Sequence, residues 1–168
     1  MENKVQDIRA RFVDEWGALG SAWGINRSMA SLHARLLVSS EPMSMDDLME
    51  ELSLSRGNTS TNLRDLVSWG LVRQVVVRGE RKQFFVAEKE PWKVFVTILR
   101  ERLHREIDPA VDTLGRIAQA SEGLPDKEGQ ELHRVVKGLH GFLLPLRAMA
   151  HRVVGAESKI LSAISRVL

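Results

Sequence analysis

The stretch that decides the fold is SMDDLMEELSLSRGNTSTNLRDLVSWGLVRQVVVRGERKQFFV, residues 44–86. Its first part contains two helical patterns, and each begins at a serine that can cap a helix N-terminus, Ser44 and Ser55. Gly70 follows the second pattern and is a typical C-terminal cap. The sequence therefore predicts a short helix, a tight turn and a second helix over 56–69.

A strand-like pattern follows Gly70. Residues 71–77 and 84–86 are rich in valine and phenylalanine, and the segment between them, 78–83, is Arg-Gly-Glu-Arg-Lys-Gln. This pattern predicts a β-hairpin with a basic tip. Helix, turn, helix and hairpin within about forty residues is the element order of a winged helix-turn-helix. The predicted fold class is mainly α with a small β-hairpin wing, flanked by N- and C-terminal dimerisation helices.

Amphipathic helices are predicted on the N-terminal side, over about 5–19 and 29–37, the second ending before Pro42. Three glycines are expected to break the first of them, namely Gly17, Gly20 and Gly24.

The C-terminal half is predicted to be helical as well. A long helix begins at Pro91, and Asp108-Pro109 either kinks it or caps a successor. A further apolar helix face runs over 132–146, and a final short helix is expected over 160–168.

The expected domain organisation is one regulator domain over 1–168. Within it, about 22–90 form the winged helix-turn-helix unit, while 1–21 and 91–168 form a helical dimerisation region. The flanking helices carry more apolar surface than a winged helix of this size needs for its own core. We therefore expect a homodimer.

Composition excludes several classes of function. The chain has no cysteine, which excludes disulfides, thiolate nucleophiles and cysteine-ligated zinc. No stretch approaches the roughly 20 apolar residues needed to cross a bilayer, and the first residues lack the apolar core of a signal peptide. We expect a cytoplasmic protein that does not contact a membrane.

The second helix of residues 44–86 has a polar side suited to a DNA groove. At 100° per residue, Leu63 and Leu66 fall on one side, and Asn58, Thr61 and Arg64 fall toward the other. Asparagine and arginine hydrogen-bond base edges, and threonine contacts the thymine methyl group. The candidate DNA-binding residues on the helix and the wing are Ser55, Arg56, Gly57, Asn58, Ser60, Thr61, Asn62, Arg64, Arg78, Arg81 and Lys82.

Charge is segregated in the same way, although the net charge of the whole chain is only +2. Between residues 53 and 83 there are six basic residues, against only Asp65 and Glu80. Residues 41–51 contain acids and no base. Phosphate neutralisation supplies most sequence-independent DNA affinity, so this basic segment fits double-stranded DNA. Asp65 is expected to pair with an arginine or to lie outside the DNA footprint.

Other functions are weighed against this hypothesis. The main alternative is a winged-helix module that binds another protein and not DNA. The chain has none of the motifs of Ser hydrolases, phosphate loops or zinc proteases, so we predict that it is not an enzyme and needs no cofactor. No two of its five histidines have the i,i+3 or i,i+4 spacing that favours a metal site on one helix. Its four tryptophans could form a cage for a quaternary ammonium ligand, although core packing explains them as well.

Several segments resemble the GbsR-type branch of the MarR-like regulators. They include Leu54-Ser55-Arg56-Gly57-Asn58-Thr59-Ser60, Trp69-Gly70-Leu71-Val72 and Arg78-Gly79-Glu80-Arg81-Lys82, and the similarity covers about residues 20–95. The resemblance implies a winged-helix dimer, usually a repressor, whose N- and C-terminal helices form the dimer interface. It also implies a small-molecule effector in some members, choline or a related osmoprotectant precursor.

Overall fold

A computed structural model describes residues 2–156 of the chain, with side chains described from Lys4 onward. The predicted final helix over 160–168 lies outside the described residues. The chain divides into two compact units with the boundary between Val94 and Phe95. The elements are α1 (Glu2–Ala22), α2 (Arg27–Leu37), β1 (Met43–Ser44), α3 (Met45–Leu52), α4 (Arg56–Trp69), β2 (Val72–Val75), β3 (Phe84–Ala87), α5 (Pro91–Arg102), a π-helical turn (Leu103–Ile107), α6 (Asp108–Ala120) and α7 (Lys127–Gly155).

The predicted helix-turn-helix is confirmed, and side-chain caps define its ends. Ser44 Oγ accepts a hydrogen bond from the Asp47 amide at 3.2 Å, and Asp47 Oδ2 accepts one from the Ser44 amide at 2.8 Å. This reciprocal pair is a capping box and fixes the start of α3. Ser55 caps α4 in the predicted way, and Gly70 ends it with a φ of 82°.

The wing is also present, and it belongs to a sheet of three strands in the order β1-β3-β2. The predicted hairpin is formed by the antiparallel strands β2 and β3. The third strand, β1, pairs with β3 through Met43 and Phe85 and was not predicted. Two residues are too few to show the alternation by which a strand is recognised in a sequence.

Close packing between α1 and α2 corrects the prediction about the glycines. Gly17 and Gly20 do not break the first helix, which continues to Ala22. A Cβ added at Gly20 would lie only 2.5 Å from Ala30 Cβ, and one added at Gly17 would overlap Ser31 Oγ. These glycines therefore allow the two helices to approach each other.

Aliphatic side chains from α2, α3 and α4 form the core of the first unit. The fully buried members include Leu32, Leu48, Leu63 and Leu66. Thr59 is also fully buried, and its hydroxyl donates to the Ser55 carbonyl at 3.0 Å, so this polar group is satisfied within the helix. The buried side of α4 fixes which side of that helix faces solvent.

In the second half of the chain, the alternative left open at Pro109 is resolved. The backbone stays helical from α5 into α6 through the π-helical turn that directly precedes Asp108. Proline lacks the amide hydrogen and collides with the carbonyl four residues earlier in a regular helix. The wider turn before Pro109 accommodates this defect. Helix α7 then packs against α6, and Arg147 Nη1 donates to Asp112 Oδ1 at 2.7 Å.

Candidate nucleic-acid interface

Helix α4 presents a polar exposed side next to its N-terminus. Of the predicted DNA-binding residues on this helix, Arg56, Gly57, Thr61 and Arg64 are exposed, and so is the capping residue Ser55. A Cβ added at Gly57 would meet no atom within 4 Å. This side therefore has open space in front of it, with the Arg64 guanidinium group and a threonine methyl group available for contacts.

Asn58 is exposed, but the structure gives its amide internal partners. Its Nδ2 donates to Ser28 Oγ on α2 at 3.0 Å, and its Oδ1 accepts from Asn62 Nδ2 at 2.5 Å. These two bonds hold the Asn58 amide toward α2 and Asn62, and they leave one amide hydrogen and one oxygen lone pair unused. Ser28 has a role here that the sequence did not reveal, because nothing in its neighbours along the chain indicates the contact.

The placement of Asn62 differs from its prediction as a DNA-binding residue. Its side chain is on the buried side of α4, with the residue only 6% exposed, and its Nδ2 also donates to the Asn58 carbonyl at 2.8 Å. Asn62 lies one turn from both Thr59 and Leu66, which are core residues. It therefore supports Asn58 rather than facing solvent, and Ser60 is half-buried.

The wing loop carries the predicted basic residues. Arg78, Arg81 and Lys82 are all exposed between β2 and β3. Gly79 has a φ of 90°, a conformation that L side chains rarely adopt, so glycine suits this turn. The tip is thus a short, positively charged projection.

Asp46 connects this wing to the start of α4. Its Oδ1 pairs with Arg56 Nη2 at 3.3 Å, and its Oδ2 pairs with Lys82 Nζ at 3.1 Å. The hydrogen bond to Asp46 and its negative charge raise the pKa of Lys82. One carboxylate thus holds a basic residue of α4 and one of the wing on a common surface. The sequence shows Asp46 only as an acid in the first turn of α3, so this contact could not be predicted from it.

This arrangement makes Asp46 an internal competitor of phosphate. Asp46→Asn should raise affinity for any duplex by about two- to tenfold and steepen the salt dependence, because two cations become available to phosphates. Fluorescence anisotropy with a labelled duplex at two salt concentrations measures both quantities. Glu50→Gln makes the same charge change at an exposed position of α3 and should have a smaller effect. Equal gains in the two variants would show that only net charge matters.

Asp65 was expected to pair with an arginine or to lie outside the footprint. It is exposed, and within residues 2–156 it forms no ion pair. Among residues 2–156, Asp65 therefore does not pair with an arginine. The other alternative, that Asp65 lies outside the DNA footprint, stays a prediction.

Residues 2–156 contain neither a cluster of metal ligands nor a membrane-spanning helix. No group of three His, Asp or Glu side chains there is arranged to hold a metal ion. His33 lies in the core of α2, where burial lowers its pKa to about 4, so this histidine is neutral at physiological pH. No helix in this part of the chain is both long and apolar enough to cross a bilayer.

Comparison with known proteins identifies the segment that contains this surface. Residues 23–83, which include the helix-turn-helix and most of the wing, match the MarR family. This segment is therefore similar to a MarR-family domain. The resemblance to GbsR-type regulators that the sequence indicated is confirmed by the relatives described next.

Two curated proteins to which the chain is similar are regulators by name. The HTH-type transcriptional repressor GbsR of Bacillus subtilis is 29% identical over 110 residues, which cover 66% of this chain and 61% of that protein. The HTH-type transcriptional regulator MmpR5 of Mycobacterium tuberculosis is 32% identical over 75 residues, covering 44% and 46% respectively. The chain thus matches less than two thirds of the length of either relative.

A solved structure extends the similarity over more of the chain. It is described as the crystal structure of a transcriptional regulator, with a TM-score of 0.64 and 25% identity, and the match covers 90% of this chain and 98% of that one. The predicted winged-helix fold class is confirmed. These names all describe transcriptional regulators, in agreement with the function predicted from the sequence, and none describes an enzyme.

Proposed function

We propose that this chain is a DNA-binding transcriptional regulator, a homodimeric repressor that binds an inverted-repeat operator. Helix α4 enters the major groove, and the wing tip over 78–82 contacts the flanking backbone or minor groove. The observation that carries the proposal is the pairing of Asp46 with both Arg56 and Lys82, because it puts the exposed start of α4 and the wing on one basic surface.

The exposed residues of α4 divide into two roles. Thr61 and Arg64 face solvent and have the chemistry to contact a thymine methyl group and a guanine edge. Arg56, together with Ser55 and the amides of the first turn, is suited to a phosphate. Asn58 is held by Ser28 and Asn62 and gains its full hydrogen-bonding capacity for a base when it leaves Ser28, so we assign it a conditional role.

An apolar stripe on α7 supports the homodimer. The stripe consists of six exposed residues at alternating spacings of three and four, namely Leu132, Val135, Leu139, Phe142, Leu146 and Met149. A second row of α7 residues, which includes the buried Val136, lies beside this stripe and faces α6. Spacings of three and four define the seam by which two helices pack together. A second copy of α7 offers a matching surface, since a two-fold interface uses the same patch on both subunits.

The dimer determines the form of the operator. Two copies of α4 related by a two-fold axis contact two DNA half-sites of opposite orientation. The centres of these half-sites are one turn of DNA apart, which is about 34–36 Å. The exposed apolar residues Val5 and Ile8 of α1, in the first unit, are separate candidates for a contact between subunits. We therefore expect a near-palindromic operator.

The proposal includes a small-molecule effector and a location. A choline-like effector rests on family resemblance alone, and no contact in the described residues selects it. The site needs no cofactor for binding DNA. A repressor acts where the chromosome lies, so the proposed function implies a cytoplasmic protein.

One feature favours the alternative, a winged-helix module that binds another protein. Val76, at the base of the wing, is 94% exposed, and such an apolar side chain suits a protein contact. In that case the basic wing would serve a protein partner, and the affinity for duplex DNA would be weak and independent of sequence.

Alanine substitutions at two arginines separate the proposed roles and test the function. Arg64→Ala should cost about 1 to 3 kcal/mol with the operator and little with unrelated duplexes, because a bidentate contact to a base is lost. Arg81→Ala should weaken all duplexes alike and reduce the salt slope by about one, because a phosphate contact is lost.

Titration of both variants against the operator and a scrambled duplex, at two salt concentrations, measures these effects. Each variant serves as the control for the other, since both remove one exposed arginine. If Arg64→Ala leaves the preference for the operator intact, α4 does not present Arg64 to the bases. If Arg81→Ala leaves duplex affinity unchanged, the wing serves the protein-binding alternative.

A further inference from the structure

The hydrogen bonds between Asn58 and Asn62 on α4 determine which way round both side-chain amides point. Asn62 Nδ2 donates to the Asn58 carbonyl at 2.8 Å and to Asn58 Oδ1 at 2.5 Å. A backbone carbonyl only accepts, so the Asn62 atom beside it is the amino nitrogen. That nitrogen requires the oxygen of the Asn58 amide on its own side. The amino group of Asn58 therefore faces the other way, toward Ser28.

Ser28 holds the other end of the Asn58 amide from α2. Its Oγ accepts a hydrogen bond from Asn58 Nδ2 at 3.0 Å. Ser28 lies in the first turn of α2, where Asn26 caps the helix by accepting from the Met29 amide at 3.2 Å. Met29 is buried in the core, so Ser28 belongs to a well-anchored helix start. The Asn58 amide is thus held at both ends by elements that are positioned before DNA binds.

The held amide still has free hydrogen-bonding groups. The bonds to Asn62 and Ser28 use one lone pair of Asn58 Oδ1 and one hydrogen of its Nδ2, so one of each is left. In the major groove adenine offers one acceptor, N7, and one donor, the N6 amino group, and asparagine can pair with both. Asn58 is exposed in the first turn of α4, and the N-terminal residues of a recognition helix are those that contact base edges. A held Asn58 therefore retains the groups that an adenine contact requires.

The two bonds also remove two losses that a free asparagine would suffer. Ordering one flexible side chain at an interface costs roughly two- to tenfold in affinity. An amide that is free to flip also presents its amino group where adenine has its own amino group, and the contact is then lost. With Asn62 and Ser28 in place, the Asn58 amide has one orientation before DNA arrives.

We propose that Asn62 and Ser28 are positioning residues that orient Asn58 to contact an adenine in each operator half-site. The inference rests on the proposed function and adds to it one base and two residues that do not touch DNA. Asn58 contacts N7 and N6 of this adenine while it keeps its bonds to Ser28 and Asn62. The bond to Ser28 thus assists the base contact and does not compete with it.

Operators in which 7-deazaadenine replaces one adenine of each half-site, one position at a time, test this inference. The modified base keeps its Watson–Crick pairing but has no N7 acceptor. The readout is the ratio of the affinity for the ordinary operator to the affinity for the modified one. At the adenine that Asn58 contacts, this ratio should be about five or more, because a buried donor loses its acceptor. Asn58→Ala should bring the ratio at this position to about one.

The positioning role is tested by the same ratio in further variants. Ser28→Ala and Asn62→Ala should each lower it by about twofold or more, with the salt slope unchanged because no phosphate contact is lost. Ser28→Thr keeps the hydroxyl group and should restore the ratio. Ser31→Ala is the matched control, since the Ser31 hydroxyl lies beside Gly17 of α1, and it should leave the ratio unchanged. Ser28 is only half-buried, so Ser28→Ala decides the question if Asn62→Ala does not fold.

The outcomes that contradict the inference can be told apart. A ratio that rises in Ser28→Ala would show that Asn58 contacts the base only after it leaves Ser28, and this would overturn the inference. A ratio that stays the same while both affinities fall would show that Ser28 and Asn62 act on stability alone. If no 7-deazaadenine position depends on Asn58, the adenine contact is wrong. A chain that selects no operator would overturn the proposed function, and the inference with it.

Discussion

Replacement of Leu66 by aspartate should unfold the winged-helix unit. Leu66 is 1% exposed in the core shared by α2, α3 and α4, so the carboxylate would be buried without a partner. Burial of an unpaired charge belongs to the few changes that cost roughly 4 to 5 kcal/mol or more. Since a domain is typically stable by only about 5 to 15 kcal/mol, this cost removes most of its stability. Urea titration followed by circular dichroism measures the loss.

Ser68→Asp is the matched control for this variant. Ser68 lies on the same helix and is exposed, so the same carboxylate there remains in water and should change stability little. A folded Leu66→Asp protein with an unchanged urea midpoint would show that the buried side of α4 is assigned wrongly. The exposed side, and with it the DNA-binding surface, would then have to be assigned again.

Charges in the stripe on α7 should separate the proposed dimer. Phe142 is 66% exposed and Leu139 is 49% exposed, so Leu139→Glu and Phe142→Glu together should leave each protomer folded. In a dimer the same carboxylates face their copies across the two-fold axis in an apolar seam and repel one another. We expect a monomer, with operator affinity lower by about 100-fold or more because the two half-sites are no longer bound together.

Light scattering and operator titration on the same preparation measure this effect. Lys137→Glu is the control, because it reverses an exposed charge on α7 outside the stripe. It should keep both the dimer and most of the affinity. A doubly substituted protein that remains a dimer would show that subunits associate through another surface.

The sequence predicted those parts of the fold that local rules determine. Ser44 and Asp47 form a capping box because of their spacing, and Gly70 ends α4 because glycine adopts a positive φ readily. The strand-like run rich in valine from residue 71 onward was enough to predict the wing. Strand β1 was missed because it has only two residues and exists through its pairing with β3.

The contacts that define the candidate site could not be predicted from local sequence rules. Asp46 and Lys82 are far apart in the sequence, and they meet only because the sheet brings the wing back beside α3. The bond from Asn58 to Ser28 likewise depends on how α2 packs against α4. Asn62 was included among the DNA-binding residues, whereas it lies on the buried side of α4, where its amide donates to Asn58. The glycines of α1 were misjudged for a related reason, since their role is in helix packing and not in helix termination.

Selection of bound duplexes from a random DNA pool, with the mass of the protein measured by light scattering on the same preparation, tests the central claim most directly. A dimer that enriches an inverted repeat with half-sites about one helical turn apart is the predicted result. A folded protein that enriches no sequence would contradict the account and favour the winged-helix module that binds a protein partner.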